Sequence, residues 1–354
     1  MADTYGLTFA REPERVTDTH IIDDAREQAL LRRYWYAASY SSALGAGPVS
    51  VTILGEDIVI VRLDGELVAS RDQCPHRGAP LSGGIVVNHE GGECLRCPYH
   101  ALHFDGTGAA VHLPGAPGDR LPSRVNLALL PCEERHGIVW VCLDAAPLGD
   151  IPAWPAFDRP DVARFQSDLE VWQAMPSRIS ENFNDLAHLS IIHAATFGDA
   201  SNTAVPAETL TVSDDGHTIT HSVTMPQLDR QTHDGPLVPV RVAYTYVHAM
   251  AFSTELCIQY DDVRTEWIQM TATPLTATSA LVFQQSARNF DIDGDIAAWR
   301  EFQITVNGED RDLLEVLKPK RIAIDGSESG EIALSVDAFT IAYRRLWRQV
   351  LGQT

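Results

Sequence analysis

Along the first part of the chain, hydrophobic and polar positions alternate with a period of two, the pattern of half-buried strands. Two such runs, "VSVTIL" (49–54) and "IVIVRL" (58–63), are followed by Asp64-Gly65, a dipeptide typical of a type I′ hairpin turn. Short strands punctuated by glycine and proline continue to the apolar run "GIVWVCL" (137–143). These positions predict a small antiparallel β domain.

Helical spacing of apolar residues marks other stretches. "IDDAREQALLRRYWY" (22–36) predicts a short amphipathic helix, and "SRISENFNDLAHLSIIH" (177–193) has helical character with Ser180 as its expected N-cap. Two further helical stretches, 293–317 and 334–350, close the chain. Between them, alternating segments predict a second antiparallel sheet from residues 208–225, 238–248, 251–260, 265–273 and 278–288.

The fold class is therefore expected to be α+β, in more than one domain. The segment "AAPLGDIPAWPAFDRPD" (145–161) holds four prolines and is the best candidate for a linker. We expect an N-terminal helical segment over residues 1–40, a β domain over 41–145 and an α+β domain over 146–354.

Composition narrows the possible functions. The 354 residues carry a formal charge of −21, which argues against nucleic acid or an anionic membrane as the main partner. The start of the chain lacks the apolar core of a signal peptide, and no apolar run approaches the roughly 18 residues of a membrane span, so a cytoplasmic protein is expected. Six cysteines are too few for a disulfide scaffold, but three of them fall within 24 residues, which points to a metal.

The cysteine-rich segment offers a mixed set of metal ligands. Cys74-Pro-His76 is followed, after 20 residues, by Cys97-Pro-Tyr-His100. Two cysteines and two histidines suit either tetrahedral zinc or a Rieske [2Fe–2S] cluster. Because each pair is mixed, each loop can give one ligand to each iron, which favours the cluster. Cys94 has no histidine three residues later and is assigned as a neighbouring thiol; surface or packing roles are expected for His89, His103 and His112.

A second group of polar residues lies in the helical stretch "ENFNDLAHLSIIH". Steps of three keep Asn182, Asp185 and His188 on one helix face. His193 would be rotated from His188 by roughly 140° in a regular helix. Both histidines can therefore reach one metal only if the helix ends or bulges between them.

Together, the two groups resemble the Rieske non-haem iron oxygenases, and most closely their homotrimeric monooxygenase and demethylase branch, which acts on compounds such as dicamba, vanillate and caffeine. The resemblance implies a Rieske domain followed by a helix-grip catalytic domain with an antiparallel sheet and C-terminal helices. It implies that the cluster ligands are Cys74, His76, Cys97 and His100. It also implies a mononuclear Fe(II) bound by His188, His193 and an acid from a late helix, which we assign as Asp310, with Glu309 and Asp312 as rivals.

The same resemblance assigns further roles. Asp185 is expected to bridge the cluster of one subunit and the iron of its neighbour in a homotrimer, and Asn182 to lie close to the iron. The enzyme would use O₂ and electrons from NAD(P)H, delivered by a ferredoxin or flavin reductase, to hydroxylate or oxidatively demethylate a small aromatic or heterocyclic substrate. Arg77 and Arg96 are candidates for the docking patch of an acidic ferredoxin.

Three alternatives stay open at this point: a ring-hydroxylating dioxygenase or natural-product hydroxylase of the same family, an electron-transfer Rieske protein without oxygenase activity, and a structural zinc protein. Two departures from the family pattern affect the cluster domain. Ala101 and Leu102 replace a usual Gly-Trp, and "NHEGGE" (88–93) resembles a small insertion.

Overall fold

The computed structural model describes residues 25–230, 236–327 and 329–353. They form two compact units. One unit is Gln28–Ile151, and the other consists of the described residues from Pro152 onward together with residues 25–27. Helix α1, Ala25–Leu31, lies within the predicted stretch 22–36 but is shorter, because the chain enters a strand at Trp35. Residues 22–24 of that prediction lie outside the described residues.

The unit Gln28–Ile151 contains three small antiparallel sheets. The Asp64-Gly65 turn is confirmed, since both residues have positive φ (50° and 89°), as a type I′ turn requires. The sheets are β1 (Trp35–Tyr40) with β10 (Ile138–Cys142) and β9 (Cys132–Arg135); β2 (Val49–Ile53) with β3 (Glu56–Leu63) and β4 (Glu66–Arg71); and β5 (Ile85–His89) with β6 (Gly92–Arg96), β7 (His103–Phe104) and β8 (Ala110–His112).

Because apolar and polar side chains alternate along these strands, one face of each sheet supplies the core of this unit. Inward-facing side chains from the second and third sheets, such as Val59, Val61, Leu95 and Phe104, are buried against one another. The loops after β4 and β6 pack onto the same core. The cysteines predicted as cluster ligands, Cys74 and Cys97, are therefore buried in this core.

The second unit is built on one antiparallel sheet of eight strands. Its order is β11-β18-β17-β16-β15-β14-β13, with β12 also paired to β18. The strands are β11 (Ala163–Gln166), β12 (Glu170–Trp172), β13 (Thr209–Val212), β14 (Thr218–Arg230), β15 (Leu237–Ala249), β16 (Ser253–Gln259), β17 (Thr265–Pro274) and β18 (Ala280–Arg288). The five alternating segments found in the sequence correspond to β13 to β18, and the α+β architecture is confirmed.

Four helices accompany this sheet in the described part of the chain: α2 (Pro176–Phe183), α3 (Leu189–Ile192), α4 (Ile296–Leu314) and α5 (Ala338–Gln353). The assignment of Ser180 as an N-cap is wrong. Helix α2 begins at Pro176, whose missing N–H and fixed φ suit a first helical position, and Ser180 is buried within the helix. Helix α4 is capped by Asp295, whose carboxylate accepts the N–H groups of Ala297 and Ala298.

No described helix combines the length with the apolar character that a bilayer crossing demands.

Candidate metal centres

The two cysteine-histidine loops have the same backbone design. In the first, the N–H of Cys74 donates to the carbonyl of Ala79 at 2.8 Å; in the second, the N–H of Cys97 donates to the carbonyl of Leu102 at 2.9 Å. Each loop turns back through a residue in the left-handed region, Gly78 with φ 73° and Ala101 with φ 55°. The two loops therefore share the same hydrogen bond and the same left-handed residue.

The candidate ligands of the two loops differ in burial: the cysteines are buried and the histidines are exposed. Cys74 and Cys97 are 2% exposed and their thiols lie within hydrogen-bond distance of each other, whereas His76 and His100 are exposed. The two imidazole rings are 4.6 Å apart between centroids. Burial raises the pKa of the Cys74 thiol to about 11, and the nearby Cys97 adds to this. A buried thiol pair beside an exposed imidazole pair fits the donor set of a Rieske [2Fe–2S] cluster.

The structure shows the surroundings of three residues near the loops, Cys94, Ala101 and Leu102. Cys94 lies in strand β6 rather than in a loop, and burial raises the pKa of its thiol. Ala101 adopts the left-handed backbone that a glycine tolerates best. Leu102 is 3% exposed and packs in the core of this unit.

The second unit brings together His188, His193 and Asp310. The Nε2 atom of His188 lies 3.4 Å from Oδ1 of Asp310, and the Nε2 atom of His193 lies 3.3 Å from the same oxygen. One ligand atom from each residue lies within 4.8 Å of the others. Two imidazole nitrogens and one carboxylate oxygen converging on one point are the donor set of a 2-His-1-carboxylate iron site, which leaves positions open.

Both imidazoles are held from behind by a second carboxylate. The Nδ1 atom of His188 is 3.0 Å from Oδ2 of Asp185, and Nδ1 of His193 is 2.7 Å from Oε2 of Glu309. When each Nδ1 carries the proton and donates it to the carboxylate, each Nε2 is left free to bind a metal. Glu309, the rival third ligand, thus contacts the outer nitrogen of His193, a role that the sequence analysis missed.

The remaining candidates have clear positions. The Nδ2 atom of Asn182 lies 3.4 Å from Oδ1 of Asp310, so Asn182 borders the convergence point. The other rival, Asp312, has a side chain that is 46% exposed and lies 4.0 Å from Arg311. Adjacent positions on a helix point about 100° apart, which separates the acids of α4 into different surroundings.

Charges in this cluster shift one another's pKa values. Burial opposes a charged imidazole, but Asp185 and Asp310 outweigh it and raise the pKa of His188 to about 9. The same two effects act on His193, where Asp310 and Glu309 raise the pKa. Burial disfavours the charged carboxyl of Asp310, yet hydrogen bonds from both histidines lower its pKa. The cluster of acids is thus arranged to hold positive charge.

The break in the helix explains how both histidines reach one point. Helix α2 ends at Phe183, and His188 and His193 flank the single turn α3. Asp185 shapes the connection, because its carboxylate accepts the N–H groups of Ala187 at 3.1 Å and of His188 at 3.0 Å. The interruption that the spacing required is therefore present.

Gly198 closes the turn beneath His193. Its N–H donates to the carbonyl of His193 at 2.8 Å. A Cβ at this position would lie 2.3 Å from the carbonyl oxygen of Leu189 and 2.9 Å from that of His193. Only glycine allows this approach. The ring of Phe197 stacks on His193 with centroids 4.8 Å apart and fixes the plane of the imidazole.

A cavity of about 560 Å³ opens onto His188, His193 and Asp310. Its inner walls are largely apolar and come from the sheet and the α2–α3 segment, with Phe183, Leu189, Tyr246, Leu256 and Ile268 among them. Its volume is that of a small-molecule site.

Helix α4 adds amide groups to the same cavity. Gln303, Asn307 and Asp310 are spaced by four and three residues, share one helix face and are at most 7% exposed. The Nε2 atom of Gln303 donates to Oδ1 of Asn307 at 3.1 Å, and Asn307 in turn contacts Gln284. This spacing was visible in the sequence, but without the position of the sheet it did not identify a cavity face.

Comparisons with known proteins agree with this geometry. The family model of the Rieske [2Fe–2S] domain matches residues 34–128, and that of the vanillate O-demethylase oxygenase C-terminal domain matches residues 172–353. Methylxanthine N3-demethylase NdmB of Pseudomonas putida is 29% identical over 92% of this chain and 91% of its own. The oxygenase component of dicamba O-demethylase from Stenotrophomonas maltophilia is 29% identical over 89% of this chain and 96% of its own.

Solved structures show the same likeness. A mutant of Pseudomonas putida NdmA with caffeine superposes with a TM-score of 0.79 at 26% identity, covering 92% of both chains. Dicamba monooxygenase bound to dicamba gives a TM-score of 0.75 at 26% identity, over 91% of this chain and 98% of that one.

The resemblance found in the sequence is confirmed, and so is the kind of enzyme. Proteins of this type carry a [2Fe–2S] cluster and a mononuclear iron, and receive electrons that originate from NAD(P)H through partner proteins. Because the C-terminal model covers half of the chain and the Rieske model precedes it, the chain belongs to the vanillate O-demethylase type of Rieske non-haem iron oxygenases, as the oxygenase component of a monooxygenase system.

Proposed function

We propose that this oxygenase removes a methyl group oxidatively from a small aromatic or heterocyclic compound. The observation that carries the proposal is the apolar cavity of about 560 Å³ with His188, His193 and Asp310 in its wall. The relatives with full-length similarity are named for N- and O-demethylation of methylxanthines and dicamba. Hydroxylation of an N- or O-methyl carbon gives a product that loses formaldehyde, so demethylation needs no chemistry beyond hydroxylation.

In this proposal, His188, His193 and Asp310 hold a mononuclear Fe(II), and Cys74, Cys97, His76 and His100 hold the [2Fe–2S] cluster. When bound, these groups supply the oxygen and single-electron chemistry that side chains lack. The chain contributes the surroundings. Asp185 and Glu309 keep the protons of the two imidazoles on Nδ1, and the apolar wall keeps water from the methyl group.

The amides of α4 orient the substrate. Gln303 and Asn307 lie about two turns and one turn before Asp310, respectively, on the same helix face, at hydrogen-bond distance from each other and in the cavity wall. Carbonyl and ring-nitrogen groups of a heterocycle can exchange hydrogen bonds with such amides. A ring held there presents one edge to the imidazoles, which selects the position of the methyl group that is removed.

The assembly we propose is a homotrimer in which Asp185 carries electrons between a cluster and an iron of adjacent subunits. Support comes from the exposure of His76 and His100 at the loop tips and of the Asp185 side chain, 28% exposed while its carboxylate contacts His188. Arg77 and Arg96 flank these loops and are retained as a candidate docking patch for an acidic ferredoxin or reductase. The cytoplasmic location stays a prediction from the sequence.

The test is a turnover screen with purified protein and a surrogate reductase fed by NADH. N- and O-methylated xanthines, benzoates and indoles are supplied, and formaldehyde is measured together with O₂ uptake. We expect formaldehyde and the demethylated product in equal amounts from at least one compound. Ring diols or hydroxylated rings without formaldehyde would instead favour the dioxygenase or natural-product hydroxylase alternative.

Iron counting tests the cofactor part separately. We expect about three irons per chain, two from the cluster and one from the mononuclear site. Two irons per chain with rapid electron transfer and no O₂ uptake would favour an electron carrier, and zinc in place of iron a structural protein.

A further inference from the structure

Three histidines of the Rieske unit lie together although none is a cluster ligand. His89 is in β5, His103 in β7 and His112 in β8. The ring centroids of His89 and His112 are 4.6 Å apart, those of His103 and His112 are 4.9 Å apart, and those of His89 and His103 are 5.4 Å apart. Each ring is in contact with both others.

Strand register explains why they meet. His103 is the direct cross-strand partner of His112, and Arg96 of β6 is paired with His103. On β5, His89 is paired with Gly92, which lies on the same face of β6 as Arg96. Since Gly92 has no side chain, the sheet leaves room for the ring of His89 to reach the other two.

The buried side chain of His103 has an unusual feature, a ring nitrogen without a hydrogen-bond partner in the described part of the chain. The residue is 9% exposed, and its Nδ1 atom is buried without a hydrogen-bond partner among the described residues. Burying a polar nitrogen without a partner is unfavourable, so native structures normally satisfy it. Burial, and next the neighbouring His112 and His89, lower the pKa of His103. The neutral imidazole, which is the form that binds metals, is therefore favoured.

We propose that His89, His103 and His112 form a third metal site, which binds a divalent transition metal of the Zn²⁺ class. Three neutral imidazoles are a common donor set for zinc, with a fourth position for water or another ligand. The ring centroids lie close enough for one ion, but the three rings do not yet offer their nitrogens to a common point, so binding requires the part-exposed rings of His89 and His112 to rotate toward the unpartnered Nδ1 of His103. His89 belongs to the segment 88–93, which the sequence analysis identified as an insertion.

Charges nearby set the expected strength of binding. Arg96 shares this face of the sheet, and its positive charge opposes a cation. The Oε1 atom of Glu90 lies 4.0 Å from Nε2 of His89, but the Glu90 side chain is 87% exposed and contributes little in water. Zinc binding should therefore be weaker than in a buried structural site of cysteines.

The experiment uses the iron-loaded, full-length enzyme. The protein is dialysed against ZnCl₂ at increasing concentration, and zinc and iron are both counted in the same samples. We expect about one Zn²⁺ per chain to be taken up while the iron content and the visible absorbance of the cluster stay unchanged. His89→Gln and His112→Gln should each weaken zinc binding at least about ten-fold, because each removes one of three ligands.

The matched control is His136→Asn, which removes a histidine of the same unit outside the group and suits the left-handed backbone there, φ 56°. It should bind zinc like the unmodified enzyme. Zinc uptake that is absent, that occurs only as iron is lost, or that persists in both His89→Gln and His112→Gln would overturn the proposal. If His112→Gln fails to assemble the cluster, the unmodified enzyme and His89→Gln decide the outcome alone.

Discussion

The two candidate metal centres of this chain are built by different means. At the catalytic centre, His193 and Asp310 are buried and His188 nearly so, and both histidines are held by side-chain carboxylates, Asp185 and Glu309. At the cluster centre, the imidazoles are exposed and the ligands are positioned by backbone turns. Side-chain charge therefore controls the first centre, and backbone conformation controls the second. Substitutions in each should fail in different ways.

The largest effect is expected from His188→Ala. Loss of one of three ligands should release the mononuclear iron and lower turnover at least about 1,000-fold, since the remaining pair no longer holds a 2-His-1-carboxylate site. Iron should fall from about three to about two per chain, with the visible spectrum of the cluster intact. Formaldehyde release and metal analysis on one preparation measure both.

A matched control for the catalytic centre is Asp312→Asn, two residues from Asp310 on the same helix but with a side chain that is 46% exposed. It should retain iron and turnover. Hydroxylation that persists in His188→Ala would contradict the assignment of this residue as a ligand.

Asp185→Asn separates electron transfer from metal binding. The amide oxygen can still accept the N–H of Ala187, which bonds to Oδ1, whereas the N–H of His188, which bonds to Oδ2, loses its acceptor; one of the two hydrogen bonds that shape the turn should therefore persist. The carboxylate that faces Nδ1 of His188 is lost, and we expect steady-state turnover to fall about 100-fold with both metal centres occupied. The check is a single-turnover experiment in which the cluster is reduced beforehand and its reoxidation by O₂ and substrate is followed. Reoxidation at the unmodified rate would rule out the bridge.

Glu309→Ala tests the carboxylate behind His193. Without it, the imidazole loses the acceptor that fixes its orientation, and iron affinity should fall about 10- to 100-fold. Iron retention against a graded chelator measures this, with the cluster absorbance as internal reference. Glu309→Gln keeps an acceptor oxygen and should recover part of the loss. Equal retention in Glu309→Ala and the unmodified enzyme would show that the contact has no role in binding.

Sequence reasoning named candidate ligands for both centres more readily than the residues that hold them. The resemblance to the Rieske oxygenases pointed to His188 and His193, their spacing required a helix break, and the structure has that break. The contact of Glu309 with His193 could not be predicted from the sequence, because Glu309 and Asp310 are adjacent. The rotation of α4 about its axis decides that Glu309 faces Nδ1 of His193 and Asp310 faces Nε2. Ser180 failed as a cap because Pro176 had already started the helix.

The smallest effect concerns the backbone of the cluster loops. Gly78 and Ala101 occupy the same place in the two loops, with φ of 73° and 55°. Alanine pays roughly 1–2 kcal/mol for the left-handed conformation, whereas glycine does not. Part of that gain is lost to the greater freedom of glycine in the unfolded chain. Ala101→Gly should therefore stabilise the Rieske unit by about 0.5–1 kcal/mol.

Thermal unfolding followed through the visible absorbance of the cluster measures this change, and we expect the midpoint to rise by about 2–4 °C. The matched control is Ala79→Gly in the first loop, where φ is not positive; glycine there adds freedom to the unfolded chain and removes a methyl group that packs against the core, so it should destabilise. Opposite signs for the two substitutions follow if backbone conformation governs this centre. A lower midpoint for Ala101→Gly would mean that the methyl group of Ala101 contributes packing that outweighs its strain, and the contrast between the two centres would then be weaker than proposed.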